Sequence, residues 1–508
     1  MARGGIMLLE NIISVMQFVI QPYFCLIVSI GTLLGLFFGA IPGLTSTLAI
    51  VLIMPVTFGM EPTAGLAMLT GIYIGGVSGG QISAILLNMP GTPASIATCF
   101  DGYPMAKKGM AGKALSYGIM ASFIGGMISL IALIIVAPVL GRISLKFQTY
   151  EYFLLGLFGL TIVSSLTSKS LLYGIASASL GLMLATVGAD PLSGVSRYTF
   201  GISALDGGVG MLPAMIGLFV VSEIFLQISE TKSEYIFESN SMDSMRISFK
   251  EILYHWKNLI RSSLIGIGIG ILPGAGGTIA NLLAYDQAKK YSKYPEKFGT
   301  GIPDGIVAPE SANNAVTGGA FVPMLTLGIP GNSVTAILMA GLLLHGLTPG
   351  PGLFRDNIGV VYSIFASIFI SNIVMVILFY LFLIRFFKWA LRIPKKVLLP
   401  IVVLMAIAGT YNIRYSFNDL WVLAIFSGMG FVFRRIDFPI SPMILGLILG
   451  PIMEAALRTG MMRSGGSIMP FFTRPYSIGL ITLTIVSVCF SGVYKRFEEN
   501  KKKALLKN

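Results

Sequence analysis

The chain has 508 residues, of which 55% are apolar and only 11% charged, where a soluble domain carries about 25% charged residues. That composition excludes a water-soluble enzyme and a disordered chain, and its many glycines and prolines (Gly 60, Pro 25) follow no collagen period. The net charge of +13 does not point to a nucleic-acid partner, because the basic residues fall in short clusters between apolar runs.

Apolar runs lie at residues 22–40, 47–58, 63–87, 114–139, 151–166, 171–188, 209–228, 259–284, 314–329, 334–346, 358–384, 397–409, 418–433, 440–457 and 475–493. A crossing of the bilayer needs about 20 apolar residues, so the chain is expected to be an all-α polytopic membrane protein of about 12 spans. Several runs are too short to cross alone, which predicts broken or re-entrant segments. Before the first run, Arg3 is followed by Glu10 and Asn11 and no small-residue cleavage pattern, so the first span is expected to be retained. The basic clusters are Lys107, Lys108 and Lys113; Lys289, Lys290, Lys293 and Lys297; Arg385, Lys388, Arg392, Lys395 and Lys396; Arg434 and Arg435; and the tail from Lys495. By the positive-inside rule they mark cytoplasmic loops and a cytoplasmic C-terminus. Lys113 on one side of the run 114–139 and Arg142 and Lys146 on the other leave that run without orientation. Cys25, Cys99 and Cys489 are isolated and have no metal or disulfide spacing, so they are read as small packing residues.

The most polar stretch, 229–258, separates two halves that resemble each other. The first contains Gly39-Ala40-Ile41-Pro42-Gly43 and the second Gly270-Ile271-Leu272-Pro273-Gly274. Further on stand Leu87-Asn88-Met89-Pro90-Gly91-Thr92 and Leu327-Gly328-Ile329-Pro330-Gly331-Asn332, each preceded by a Gly-Gly pair. Gly79 precedes Pro90 by 11 positions and Gly318 precedes Pro330 by 12. The expected division is a first repeat at 1–235, a polar connection at 236–257, a second repeat at 258–470, and a last span with a basic tail at 471–508. The repeats are expected to be inverted, by analogy with other secondary transporters.

Proline lacks an N–H, and glycine lets another backbone approach. In hydrocarbon such breaks survive only when buried in protein or lining a cavity. Matched breaks in two halves point to a substrate site, where half-helix N-termini aim N–H groups at an anion. The candidate binding residues around the N-terminal breaks are Pro42, Gly43, Thr45, Ser46, Asn88, Pro90, Gly91, Thr92, Pro93 and Ser95. Around the C-terminal breaks they are Pro273, Gly274, Asn313, Asn314, Pro330, Gly331, Asn332 and Ser333. Ser78, Gln81, Glu310, Asn313 and Thr317 are candidates for ion coupling. Asp101 and Asp304 sit beside glycine and proline and read as interfacial turn residues. Glu310 follows Pro309 and reads either as a helix-start carboxylate or as part of an ion pathway. A single serine or threonine more often bonds its own helix.

No phosphate-binding G-x-x-x-x-G-K-[ST] occurs, so ATP hydrolysis is not expected. Gly266-Ile267-Gly268-Ile269-Gly270 lacks the dinucleotide fingerprint, and His255 and His345 are the only histidines. Gly76-Val77-Ser78-Gly79 resembles the serine motif of rhomboid-type intramembrane proteases, with His345 as a conceivable base. A facilitative channel is the other rival reading.

Two longer stretches carry a family resemblance. Leu86-Leu87-Asn88-Met89-Pro90-Gly91-Thr92-Pro93-Ala94-Ser95, with Asp101-Gly102-Tyr103-Pro104-Met105-Ala106-Lys107-Lys108-Gly109, resembles the signature of the TctA family. Ala308-Pro309-Glu310-Ser311-Ala312-Asn313-Asn314-Ala315, with Leu325-Thr326-Leu327-Gly328-Ile329-Pro330-Gly331, resembles its second signature. That family is the large permease subunit of bacterial tripartite tricarboxylate transporters. The resemblance covers about residues 20 to 490 and implies a multi-pass protein of the bacterial cytoplasmic membrane, not an enzyme. It implies ion-gradient-coupled uptake of di- or tricarboxylates such as citrate by alternating access. It also implies two partners, a small four-helix membrane subunit and an extracytoplasmic solute-binding protein. No cofactor is expected beyond a coupling ion. Na⁺ is the first choice and H⁺ the second, because the polar residues are mostly neutral oxygens. Asn332 stands where many relatives carry serine, a departure at a position expected to tune selectivity.

Overall fold

The computed structural model describes residues 13–167, 170–190, 193–229, 247–390 and 395–488. The first residues, half of the polar connection (236–246) and the basic tail lie outside that set. The described chain is helical. In order, the helices are α1 (Pro22–Ala40), α2 (Ser46–Thr57), α3 (Pro62–Leu87), α4 (Ile96–Met105), α5 (Ala111–Ser144), α6 (Thr149–Thr167), α7 (Leu171–Ala185) and α8 (Met211–Ser229). Then follow α9 (Trp256–Ile271), α10 (Gly276–Lys290), α11 (Asp304–Leu327), α12 (Ser333–Leu344), α13 (Ile358–Ala390), α14 (Lys395–Arg414), α15 (Phe417–Arg435), α16 (Ile440–Arg463) and α17 (Pro475–Val488). A two-stranded antiparallel ladder, Gly188–Ala189 with Ser196–Arg197, lies between α7 and α8. Arg197 bonds Glu454 there, and Arg458 bonds Asp190, so this loop is tied to α16.

Among the described residues, 7 helices are long and apolar enough to cross a membrane. Shorter apolar helices such as α2, α7 and α12 accompany them. Beside the Pro-Gly breaks the pieces are short, as in α2 and α12. Each break follows from local chemistry. Ile41 and Leu272 are extended, the conformation that a following proline favours. At the second pair of breaks, α3 ends on Asn88 and α11 on Gly328, both left-handed, at φ 55° and φ 69°. A left-handed residue turns the chain out of the helix and lets its N–H reach back to a free carbonyl.

The centre is the pair α3 and α11, buried over nearly their whole lengths. α1 packs along α3, α9 along α11, and α5 along α11. These are backbone-to-backbone seams. A methyl on Gly35 would run into the Ile72 carbonyl oxygen, and one on Gly266 into that of Ala312. Such approach lets helices pack without large side chains, as in membrane bundles generally.

Two expectations about acids, those for Asp101 and Glu310, are corrected. Asp101 is not an interfacial turn residue but lies inside α4, fully buried. Its carboxylate accepts from the Gly299, Gly301 and Ile302 N–H groups and from the Tyr285 hydroxyl. Asp304 is the first residue of α11 and is bonded by His255 and Asn258. Glu310 does not start a helix, because α11 begins six positions earlier; it sits mid-helix with no exposed surface. A hydropathy run starting at 314 misses the polar first half of α11. Neighbouring helices cover that half, so lipid does not set its composition.

Candidate functional site

A polar cluster joins α3, α4, α5 and α11 in the interior. Ser78 Oγ donates to Asn314 Oδ1 at 2.6 Å, across 236 positions of sequence. Asn314 Nδ2 donates to Ser122 Oγ at 2.7 Å and to the Glu310 backbone carbonyl at 3.1 Å. Gln81 Nε2 reaches Ser122 Oγ at 3.3 Å. Ser122 Oγ donates to Glu310 Oε2 at 3.3 Å, and Thr98 Oγ1 meets Glu310 Oε1 at 2.5 Å. Of the ion-coupling candidates, Ser78, Gln81 and Glu310 therefore share one network. Thr317 does not enter it, since its hydroxyl bonds the Asn314 carbonyl one turn back.

Beside this cluster the start of α4 meets α10. The Ala97 N–H donates to Asn281 Oδ1 at 2.8 Å. Asn281 Nδ2 and Asn313 Nδ2 are buried and bond nothing, as is Gln81 Oε1. Gly277 faces both Ala94 and Asn313 Oδ1, with no room for a side chain. Buried amide groups without partners are uncommon, and the two free Nδ2 donors, of Asn281 and Asn313, lie beside one helix N-terminus with its own N–H groups. An anion's oxygens fit such a set of donors.

The breaks themselves are placed as follows. Pro42 is buried, and the Gly43 carbonyl accepts from Gln227 Nε2 at 2.7 Å. Thr45 caps α2 through the Leu48 N–H, and Ser46 packs on Gly76. Asn88, Pro90 and Pro93 are exposed. The Gly91 N–H reaches the Gly80 carbonyl, and Thr92 and Ser95 pair over Gly80. Pro273 is buried, and the Gly274 N–H donates to the Gly331 carbonyl at 2.9 Å, so the two C-terminal breaks touch. Pro330 is buried and Ser333 exposed. Asn332 is occupied: its Oδ1 caps the Thr335 N–H and its Nδ2 donates to the Tyr73 hydroxyl at 2.7 Å. Thr45 and Asn332 thus use their side chains on local caps.

Sequence reasoning missed Ser122 and Tyr73. The signal for Ser122 is a lone hydroxyl within a small-residue stripe, Gly118, Ser122 and Gly125, on a long apolar helix. Tyr73 lies in a buried apolar run and carries no distinguishing pattern. The protease geometry is absent. His345 packs on Gly65, near the start of α3, and Ser78 lies about 20 Å further along that helix.

Residues 25–445 match the tripartite tricarboxylate transporter TctA family. The chain belongs to that family. A relative from Agrobacterium vitis, described as "Uncharacterized 52.8 kDa protein in TAR-I ttuC' 3'region", is 37% identical to this TctA-family chain over 459 residues. The match covers 90% of this chain and 91% of that protein. A second, "Uncharacterized protein in TAR-II ttuC' 3'region", is 37% identical over 220 residues, 43% of this chain and 90% of the relative. No solved structure matches. The TctA family is a transporter family, and the apolar helices fit a multi-pass membrane protein.

Proposed function

We propose that this chain is the large membrane subunit of a binding-protein-dependent secondary transporter. It takes up di- or tricarboxylates by alternating access, in symport with a cation, in the bacterial cytoplasmic membrane. The observation that carries the reading is the pair of unpartnered Nδ2 groups, those of Asn281 and Asn313, near the start of α4, next to a wholly buried polar network between α3 and α11. Neutral donors around a helix start suit carboxylate oxygens.

The packing supports two inverted repeats, 1–235 and 258–470. α5 and α13, which correspond in the two halves, run in opposite directions. Gly126 of α5 meets Asn372 of α13, and Gly141 near the end of α5 meets Phe354, just before α13. Likewise α3 begins beside His345 and α11 ends beside Pro349. Lys108 Nζ donates to the Thr300 carbonyl, so the lysine-rich loops share one end, which the positive-inside rule makes cytoplasmic. The partners are a small membrane subunit and an extracytoplasmic solute-binding protein.

The test is uptake of labelled citrate and a dicarboxylate panel into proteoliposomes holding this chain and its small subunit. Uptake is expected to saturate and to need both the binding protein and an imposed ion gradient. Non-saturable flux indifferent to both would replace the reading with a facilitative channel.

A further inference from the structure

We propose that Glu310 is a proton-binding site that couples transport to the pH gradient, with the proton held on Oε1 against the Thr98 hydroxyl. The coupling rests on the transporter reading above; the proton site itself does not.

Glu310 is wholly buried, and among the described residues its carboxyl is hydrogen-bonded by two hydroxyls, those of Thr98 and Ser122. No cation is paired with it. The titratable groups on the surrounding helices are engaged elsewhere or face outward. On α4, Cys99 contacts the Ser95 carbonyl and Asp101 is held by the 299–302 backbone. On α3, Tyr73 accepts from Asn332, and on α5, Tyr117 donates to Glu251. Just before α9, His255 bonds Asp304, and on α9 Arg261 donates to Asn258. On α10, Tyr285 donates to Asp101, while Asp286, Lys289 and Lys290 are exposed. A carboxylate so placed is strongly disfavoured, and binding a proton removes the charge.

The direction of the surrounding hydrogen bonds selects the oxygen. The amide of Asn314 has a fixed orientation, because only its Nδ2 can serve the Glu310 backbone carbonyl. That same Nδ2 donates to Ser122 Oγ, and Gln81 Nε2 donates there too. Ser122 Oγ thus has both lone pairs filled and must spend its one hydrogen on Glu310 Oε2. Oε2 is an acceptor only, so the proton belongs on Oε1; the Thr98 hydroxyl, which donates to Oε1 when the carboxylate is charged, then turns to accept from it. On release, the proton passes to water on the side where the site is open. The Thr98 hydroxyl then turns its own hydrogen onto the carboxylate. The filled lone pairs of Ser122 also favour H⁺ over Na⁺, because that oxygen has none left for a metal ion.

The test is infrared difference spectroscopy of the purified chain in phosphatidylcholine–phosphatidylglycerol vesicles, titrated from acid to alkaline pH in Na⁺-free buffer. A protonated-carboxyl carbonyl band is expected to persist at neutral pH. It should vanish in Glu310→Gln and change frequency in Thr98→Val. A band unchanged in Glu310→Gln would overturn the proposal, as would a band abolished by added Na⁺ at fixed pH. In proteoliposomes, an imposed pH gradient should accelerate anion uptake by the parent protein. It should give no acceleration in Glu310→Gln and partial acceleration in Glu310→Asp. Equal acceleration in parent and Glu310→Gln would remove the coupling role. If the parent transports no anion, the transporter reading and the coupling both fall, while the infrared band still decides whether Glu310 binds a proton.

Discussion

On the side of α3 that faces α1, glycine backbones touch; on the side that faces α11, Ser78 and Gln81 enter a network of amides and hydroxyls. Both sides are buried, yet they hold their neighbours differently. The glycine seam holds its neighbours by close backbone packing with no room for a side chain. The polar seam has alternatives, because a hydroxyl or amide can exchange one partner for another without opening a void. A helix built this way carries a fixed edge and an adjustable one, and the adjustable edge lies where the two halves meet.

Substitutions around α3 test that contrast. The largest effect is expected from Gly35→Leu, which forces a branched side chain into the Ile72 carbonyl. Overpacking costs about 1–3 kcal/mol and sometimes more; with backbone as the obstacle, the yield of monodisperse protein in detergent should collapse. Normal yield and melting temperature would show that the glycine seam yields easily. Next is Asn314→Leu, which leaves Ser78, Ser122 and the Glu310 carbonyl short of a partner. It should cost about 1–3 kcal/mol in thermal unfolding and abolish anion uptake in proteoliposomes. Undiminished uptake would remove the polar seam from the transport path. Asn332→Ala removes both the cap on α12 and the bond to Tyr73 of α3, with an expected loss of about 1 kcal/mol. Circular-dichroism melts of the purified protein would show it. Asn88→Gly is expected to be nearly silent, within about 1 kcal/mol, because the end of α3 already holds a left-handed backbone at φ 55°. A large loss there would give the Asn88 side chain a contact of its own.

The membrane class and the four breaks were legible because proline and glycine act on the backbone locally. Glu310, Asn313 and Asn314 were legible because charged and amide groups are costly in an apolar setting. What could not be read depends on which helices become neighbours. Ser122 matters only because α5 lies against α11, 188 positions away in sequence from Glu310. Asp101 looked like a turn residue because its partners, the amides of 299–302, have no side-chain signature. Asn332 was legible as polar, but its use as a cap depended on where α12 begins.

The Asp101 carboxylate clasps the loop that leads into α11, although Asp101 itself belongs to α4 of the other half. Three backbone amides converge on one side chain, so that junction acts as a rivet between the halves. If the halves rock, the axis must run close to the rivet, and the widest displacement falls at the opposite end, beside His345 and Pro349. The placement of a single aspartate would then choose which face of the protein opens farthest.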